Sequence, residues 1–287
     1  MSGREVLGAV VLCGGRSTRM GRDKSALPFH GDTLLGRAVR LVARVAADVV
    51  VVARPGQELP PLPDGVHIVR DEVLDQGPLG GLAPGLRASR AEACFVTSCD
   101  APWLRPAVVR LLFERLGGAD VAFAEAEGRL QPLCAVYRTS VAPRIDALLA
   151  AGRLRPVFLA ESAPTVRVAE AELRAVDPDL ASLANCNTPE AYEAALAAPA
   201  PSVRIEFYDV ARLRAGARSA DVRAATLAEA VRSAAGACPG LVPEVVRDGR
   251  LTEHFRANLS GDRFVEDGLT PLVEGDSILL LSAQSGG

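Results

Sequence analysis

The chain has 287 residues, 49% of them apolar, and its 32 basic and 35 acidic side chains leave a formal charge of −3. That length exceeds an average domain, so one large or two unequal domains with well-packed cores are expected. The near balance of charge speaks against a protein that coats nucleic acid, and no run of about 18 uncharged apolar residues offers a membrane span.

The opening MSGREV lacks a basic patch, an apolar core and a cleavage site, so a cytoplasmic protein is expected. Cys13, Cys94, Cys99, Cys134, Cys186 and Cys238 form no CxxC pair and read as reduced, buried thiols rather than a zinc site or a disulfide frame. Val6 to Leu12 is an apolar run that reads as a buried first strand. It opens into LCGGRSTRMGRDK, Leu12 to Lys24. Gly14 and Gly15 let the backbone turn sharply and leave its N–H groups bare. Successive bare amides form an anion-binding concavity, to which Ser17, Thr18, Arg19, Arg22 and Lys24 add hydroxyl and cationic donors. A polyphosphate partner is implied, although the spacing matches neither a P-loop nor a dinucleotide fingerprint.

From Leu34 to Ala47 apolar residues recur at three and four, which predicts an amphipathic helix capped by Thr33 and leading into a strand, Asp48 to Ala53. A proline-rich loop, Pro55 to Pro63, precedes a short strand, His67 to Arg70. The order strand, helix, strand calls for a parallel sheet with crossover helices, an α/β fold. Asp71 then falls at the carboxyl end of a strand, the edge where open α/β sheets place ligands, unless it merely forms a turn. After Gln76-Gly77-Pro78-Leu79-Gly80-Gly81 a helix is expected over Leu82 to Ser89.

Ala93 to Ser98 reads as a strand ending in Cys99-Asp100-Ala101-Pro102. A carboxylate there is placed to hold Mg²⁺, which takes one or two carboxylates plus phosphate oxygens and water; capping the following helix, Pro106 to Leu116, is its alternative role. Further elements are predicted as strands over Ala119 to Ala124 and Gln131 to Arg138, a helix over Ser140 to Ala151 and a short helix over Arg153 to Glu161. Thr188 caps a last helix, Pro189 to Ala197. Capping alone does not require Asn185 and Asn187.

Ala198 to Ser202 (APAPS) reads as a proline-stiffened linker, dividing a domain over 1–197 from a second over 203–287. Beyond it, Val203 to Tyr208 alternates as a half-buried strand. Thr226 to Ala235 forms a helix with Leu227, Ala230, Val231 and Ala234 on one stripe, and Phe255 to Leu259 and Ser277 to Ser282 are strands. This pattern predicts a small α+β domain of ubiquitin-like β-grasp type. The sequence closes on Ser285-Gly286-Gly287, an unhindered tail whose carboxylate could thread into a narrow site, be adenylated and accept sulfur.

The pattern GG-x-S-x-RMG-x-DK after the first strand resembles the nucleotidyltransferases related to molybdenum-cofactor guanylyltransferase. GPLGG, SCDAP, QPLCAVYR and NCNTPE resemble further motifs of the same family. Cys13 stands where that family usually has Ala, and Gly14 with the Asp23-Lys24 pair favours guanylyl over cytidylyl transfer. The resemblance implies a Rossmann-like domain with a mostly parallel sheet that binds GTP and Mg²⁺ and passes GMP to molybdopterin, releasing pyrophosphate. It implies a nucleotide site of Leu12, Cys13, Gly14, Gly15, Ser17, Arg19, Lys24, Asp71, Gly77, Pro78, Leu79, Gly80 and Asp100, with Lys24 and Asp100 catalytic and Asp100 on the metal. Gln131, Pro132, Arg138, Asn185 and Asn187 would border the acceptor. Arg54 and Gln57 lie where the family often has an Asn-containing stretch at the base.

The second half resembles the sulfur-carrier small subunit of molybdopterin synthase. That likeness makes Gly287 the reactive terminus, and implies the synthase large subunit and an adenylating enzyme as partners. A thiamine-pathway carrier shares such a tail. The remaining alternatives are a cytidylyl- or sugar-nucleotide transferase, or an inactive scaffold attached to a sulfur carrier.

Overall fold

A computed structural model describes residues 6–14, 23–71 and 76–283. The chain divides into two compact units, Met1–Ala195 and Leu196–Gly287. The first runs β1 (Leu7–Leu12), a small hairpin of β2 (Pro28–Phe29) and β3 (Asp32–Thr33), α1 (Leu34–Val42), β4 (Asp48–Ala53), β5 (His67–Arg70), α2 (Gly77–Ala88) and β6 (Ala93–Ser98). It continues through α3 (Pro106–Leu116), β7 (Val121–Ala126), β8 (Arg129–Arg138), α4 (Ala142–Ala150), β9 (Thr165–Val168), α5 (Glu170–Val176) and α6 (Pro189–Ala197).

The apolar runs of β1, β4 and β6 become central strands of a seven-stranded sheet ordered β5-β4-β1-β6-β8-β7-β9. Every pairing is parallel except those of β8, which runs against both β6 and β7. Continuous apolar strands are what a sheet covered on both faces demands. Val10, Val50, Val52 and Val96 pack with Leu79, Leu82 and Leu86 of α2 and Ile145 of α4; their alternating neighbours Ala9, Val11, Val49 and Val51 are as deeply buried and by strand periodicity face the other way. The chain builds outward from β1 to β4 and β5, then crosses back to place β6 on β1's other side. That reversal opens a crevice beyond the carboxyl ends of β1 and β6, where doubly wound sheets bind ligands.

The predicted strands Asp48–Ala53 and Ala93–Ser98 occur with those bounds, and Thr33 caps α1 by accepting the Gly36 amide at 3.0 Å. α2 begins five residues before its predicted start, because GPLGG is its first turn and Pro78 suits a helix's opening positions. The β9 strand and α5 helix were not anticipated.

The second unit contains β10 (Ser202–Phe207), α7 (Asp209–Ala215), β11 (Ser219–Arg223), α8 (Leu227–Ala237), β12 (Val246–Arg247), β13 (Arg250–Leu251), β14 (Phe255–Leu259), β15 (Arg263–Val265) and β16 (Ser277–Ser282). Its five-stranded sheet is ordered β11-β10-β16-β14-β15, with β10 and β16 parallel and the other neighbours antiparallel. Thr226 caps α8, accepting the Glu229 amide at 3.3 Å while Glu229 accepts Ala225 N at 2.7 Å, a reciprocal box. The predicted stripe of Leu227, Ala230, Val231 and Ala234 is buried against Val203, Ile205 and Phe207. Part of APAPS is tied down: Ala224 N donates to Pro201 O, Arg223 to Ala200 O, and Ser202 exchanges bonds with Glu274 and Gly275. Among the described residues no helix is long and apolar enough to cross a membrane.

Candidate functional site

At the end of β1, Leu12 O accepts Cys99 N at 3.0 Å and Cys13 N donates to Val52 O at 2.9 Å, so the chain leaves the sheet pinned to both neighbouring strands. The Cys13 thiol donates to Val52 O at 3.2 Å, and burial pushes its pKa up to about 12, the mark of a packed thiol rather than a nucleophile. Gly14 follows beside the aliphatic stem of Arg54. Asp23 then caps a short 3₁₀ turn, Lys24–Ala26, by accepting Ser25 N at 3.0 Å and Ser25 Oγ at 2.7 Å.

This cap aims Lys24 across the crevice. Its Nζ donates to Asp100 Oδ2 at 2.9 Å and to Asn187 Oδ1 at 2.8 Å, joining it to segments 76 and 163 positions further along the chain. Asp100 follows β6 and is 7% exposed, with Ser98 Oγ donating to its Oδ1 at 2.5 Å. Its carbonyl accepts Cys186 N at 2.8 Å, which seats the Asn185–Asn187 segment over the strand end. Thr188 Oγ1 accepts Ala191 N, capping α6 as predicted.

The donor set suits a hard cation. A carboxylate and an amide oxygen already converge on one ammonium, and an ion of the Mg²⁺ class would complete its shell with phosphate oxygens and water. Among the described residues no group of three or more His, Cys, Asp or Glu side chains is arranged to hold a metal, so most of that shell would have to come from substrate.

Asp71 extends β5, its amide donating to Ala53 O at 2.9 Å. Its Oδ2 lies 3.5 Å from where a Cβ on Gly80 would stand and 3.7 Å from one on Gly81, ordinary contact distances that set the carboxylate beside the first turns of α2.

A model of the MobA-like NTP transferase domain matches residues 9–168. The chain belongs to the MobA-like NTP transferase family. A Methanosarcina mazei protein named "probable molybdenum cofactor guanylyltransferase" is 36% identical over 203 residues, covering 66% of this chain and 90% of that protein. One of the same name from Mycobacterium ulcerans is 40% identical over 201 residues, covering 66% of this chain and 94% of its own. Among solved structures, molybdopterin-guanine dinucleotide biosynthesis protein A from Archaeoglobus fulgidus superposes with a TM-score of 0.54 at 24% identity, covering 66% of this chain and 96% of that one. The 2-C-methyl-D-erythritol 4-phosphate cytidylyltransferase of Thermus thermophilus gives 0.50 at 21% identity, over 68% of this chain and 98% of its own. At such identities the two structures speak for the fold.

In this MobA-like nucleotidyltransferase, Leu12, Cys13, Gly14, Lys24, Asp71, Gly77, Pro78, Gly80, Asp100 and Asn187 lie at the carboxyl edge of the sheet or on the segments that cross it. Gly15, Ser17, Arg19 and Gly287 fall outside the described residues. The Leu79 side chain is fully buried in the core beneath α2, so only its backbone is available to a ligand. Asn185 turns its amide back to Leu183 O. Gln131, paired with Ala124 near the end of β7, sits at the expected edge.

Arg138 does not. It pairs with Ala93, the first residue of β6, and donates to Ala119 O and Gly117 O at the opposite edge. Because β8 is antiparallel to β6, the two ends of QPLCAVYR are separated by roughly 20 Å along the strand. Arg153 is likewise engaged, paired with Glu161 and stacked 4.1 Å over Phe158. Ser98, which sequence reading passed over, had a signal in the hydroxyl two residues before Asp100.

Proposed function

We propose that the first unit transfers a guanylyl group from GTP to molybdopterin or its molybdenum form. The reading is supported above all by one observation: Lys24 Nζ is shared between Asp100 and Asn187 at the carboxyl edge of the sheet. The relatives' names supply the base and the acceptor.

Asp100 and Asn187 would hold Mg²⁺, which when bound neutralises charge on the phosphate oxygens. Lys24, released from these two partners, would turn to the triphosphate and stabilise the charge that grows on the leaving pyrophosphate. A terminal phosphate oxygen of molybdopterin forms the new bond to the α-phosphorus while the bond to the bridging oxygen breaks, that oxygen leaving with its electron pair on pyrophosphate. No covalent enzyme intermediate is needed. Asp71 and the first turn of α2 would border the nucleoside, with Gln131 and Asn185 on the acceptor side.

Purified protein supplied with Mg²⁺ and molybdopterin is expected to release pyrophosphate from GTP in preference to CTP. Release from no nucleoside triphosphate removes the reading; preference for CTP removes its guanylyl part.

For the second unit we infer a ubiquitin-like β-grasp sulfur carrier that bears a thiocarboxylate on Gly287 for the large subunit of molybdopterin synthase, after activation by a separate adenylating enzyme. The sheet order, the parallel pairing of its first and last strands and α8 support it. Protein made with the activating enzyme and a sulfur donor should gain the mass of one oxygen-to-sulfur exchange at its terminus. A terminus that stays carboxylate contradicts the inference.

A further inference from the structure

Gln57 lies near where the family often has an Asn-containing stretch at the base, and here its side chain points inward. It is 6% exposed, and its amide group spans the two chain segments that bracket the paired-glycine stretch. Nε2 donates to Cys13 O at 3.2 Å on the segment leaving β1 and to Asp23 Oδ2 at 2.8 Å on the segment that returns, with Ser25 Oγ at 3.4 Å beside it. Oε1 accepts Arg54 N at 3.0 Å, which fixes the amide orientation, since the flipped group would set oxygen against two acceptors.

Gln57 is itself anchored. Its amide closes a turn onto Arg54 O at 3.3 Å and its carbonyl accepts Arg70 at 2.7 Å, so the latch is mounted on the ends of β4 and β5. Burial raises the Asp23 carboxyl, but hydrogen bonds from Ser25 and Gln57 and the charge of Arg54, at 3.2 Å, outweigh it and hold the group below its ordinary range. Asp23 is thus an ionised acceptor, and charge-assisted bonds to it are the strong kind. Lys24 is the next residue.

We propose that Gln57 is a positioning residue for nucleotide binding: by tying Cys13 to Asp23 it holds the 3₁₀ turn from which Lys24 reaches the triphosphate. The inference rests on the nucleotidyltransferase reading above. Gln57 need not touch the substrate; it removes conformational freedom that binding would otherwise have to restrict.

The test is calorimetric titration of the full chain with GTP and Mg²⁺ at mildly alkaline pH, with thermal melts alongside. Gln57→Ala should weaken binding about tenfold. Gln57→Glu, nearly isosteric, should weaken it further by placing a second carboxylate against Asp23. Adding Asp23→Asn to Gln57→Glu exchanges donor and acceptor across the contact to residue 23, though not the one to Cys13 O, and should recover part of the affinity that Gln57→Glu loses, a recovery that loss of fold alone would not produce. Unchanged affinity in both single variants overturns the proposal, as does a double variant no better than Gln57→Glu. If the wild-type chain binds no nucleotide, the functional reading fails instead, and the latch is then read from hydrogen exchange: faster exchange of the Ser25 amide in Gln57→Ala supports it, and unchanged protection overturns it.

Discussion

The two edges of the seven-stranded sheet each bury an aspartate at a strand end, Asp48 at the start of β4 and Asp100 just beyond β6, exposed by 8% and 7%. Asp48 is held by Ser89 Oγ at 2.6 Å and the Arg90 amide at 2.7 Å, with His67 at 3.9 Å. A backbone amide cannot leave, so that carboxylate is committed to closing the turn after α2. Asp100 is held by Ser98 Oγ and by an ammonium on a flexible stem, a partner that a phosphate or a metal ion can replace. Burial alone does not mark a working carboxylate; the exchangeability of its partners does.

Three substitutions press on this contrast. Asp100→Asn should cut pyrophosphate release by about a hundredfold or more, the scale of losing one preorganised charge in a transfer site. Its melting temperature should move little, because the carboxamide oxygen can still accept from Lys24, which also keeps Asn187. Full activity would end the assignment. Asp48→Ala should reverse the pattern, costing about 2–3 kcal/mol of stability by stripping the acceptor from a buried amide and a hydroxyl. Turnover per folded molecule should be unaffected, as checked by denaturant melts and active-site titration; a specific kinetic defect would erase the distinction between the edges. Arg138→Ala is expected to be the mildest, at about 1 kcal/mol for two carbonyl contacts, with an unchanged KM for the acceptor. A raised KM would return Arg138 to the acceptor side.

Sequence periodicity located the sheet well where strands are continuous apolar runs closed by a charge, as in DVVVVA and ACFVTS. It failed where the local chemistry is ambiguous. GPLGG carries residues that usually interrupt helices, and only tertiary packing makes it one. TVRV and the short α5 are brief and partly exposed, too weak in pattern to register. Asn187 was legible because helix capping left it unexplained. Arg138 was not, because a motif on an antiparallel strand does not say which of its ends faces the ligand edge. Gln57 was legible only as a departure from the family pattern, because spacing carries no sign of whether a side chain points out to a base or back into its own scaffold.

The seating of α2 has a consequence for variation at a distance. A Cβ on Gly85 would fall 2.6 Å from Val10 Cγ1 and 2.9 Å from Val52 Cγ2, so the helix rides on the sheet at a height set by a missing methyl. Gly77 lies about 12 Å back along the same rod. Any side chain introduced at Gly85 tilts a lever whose other arm forms one lip of the crevice, so a position no ligand reaches would govern how wide that lip stands.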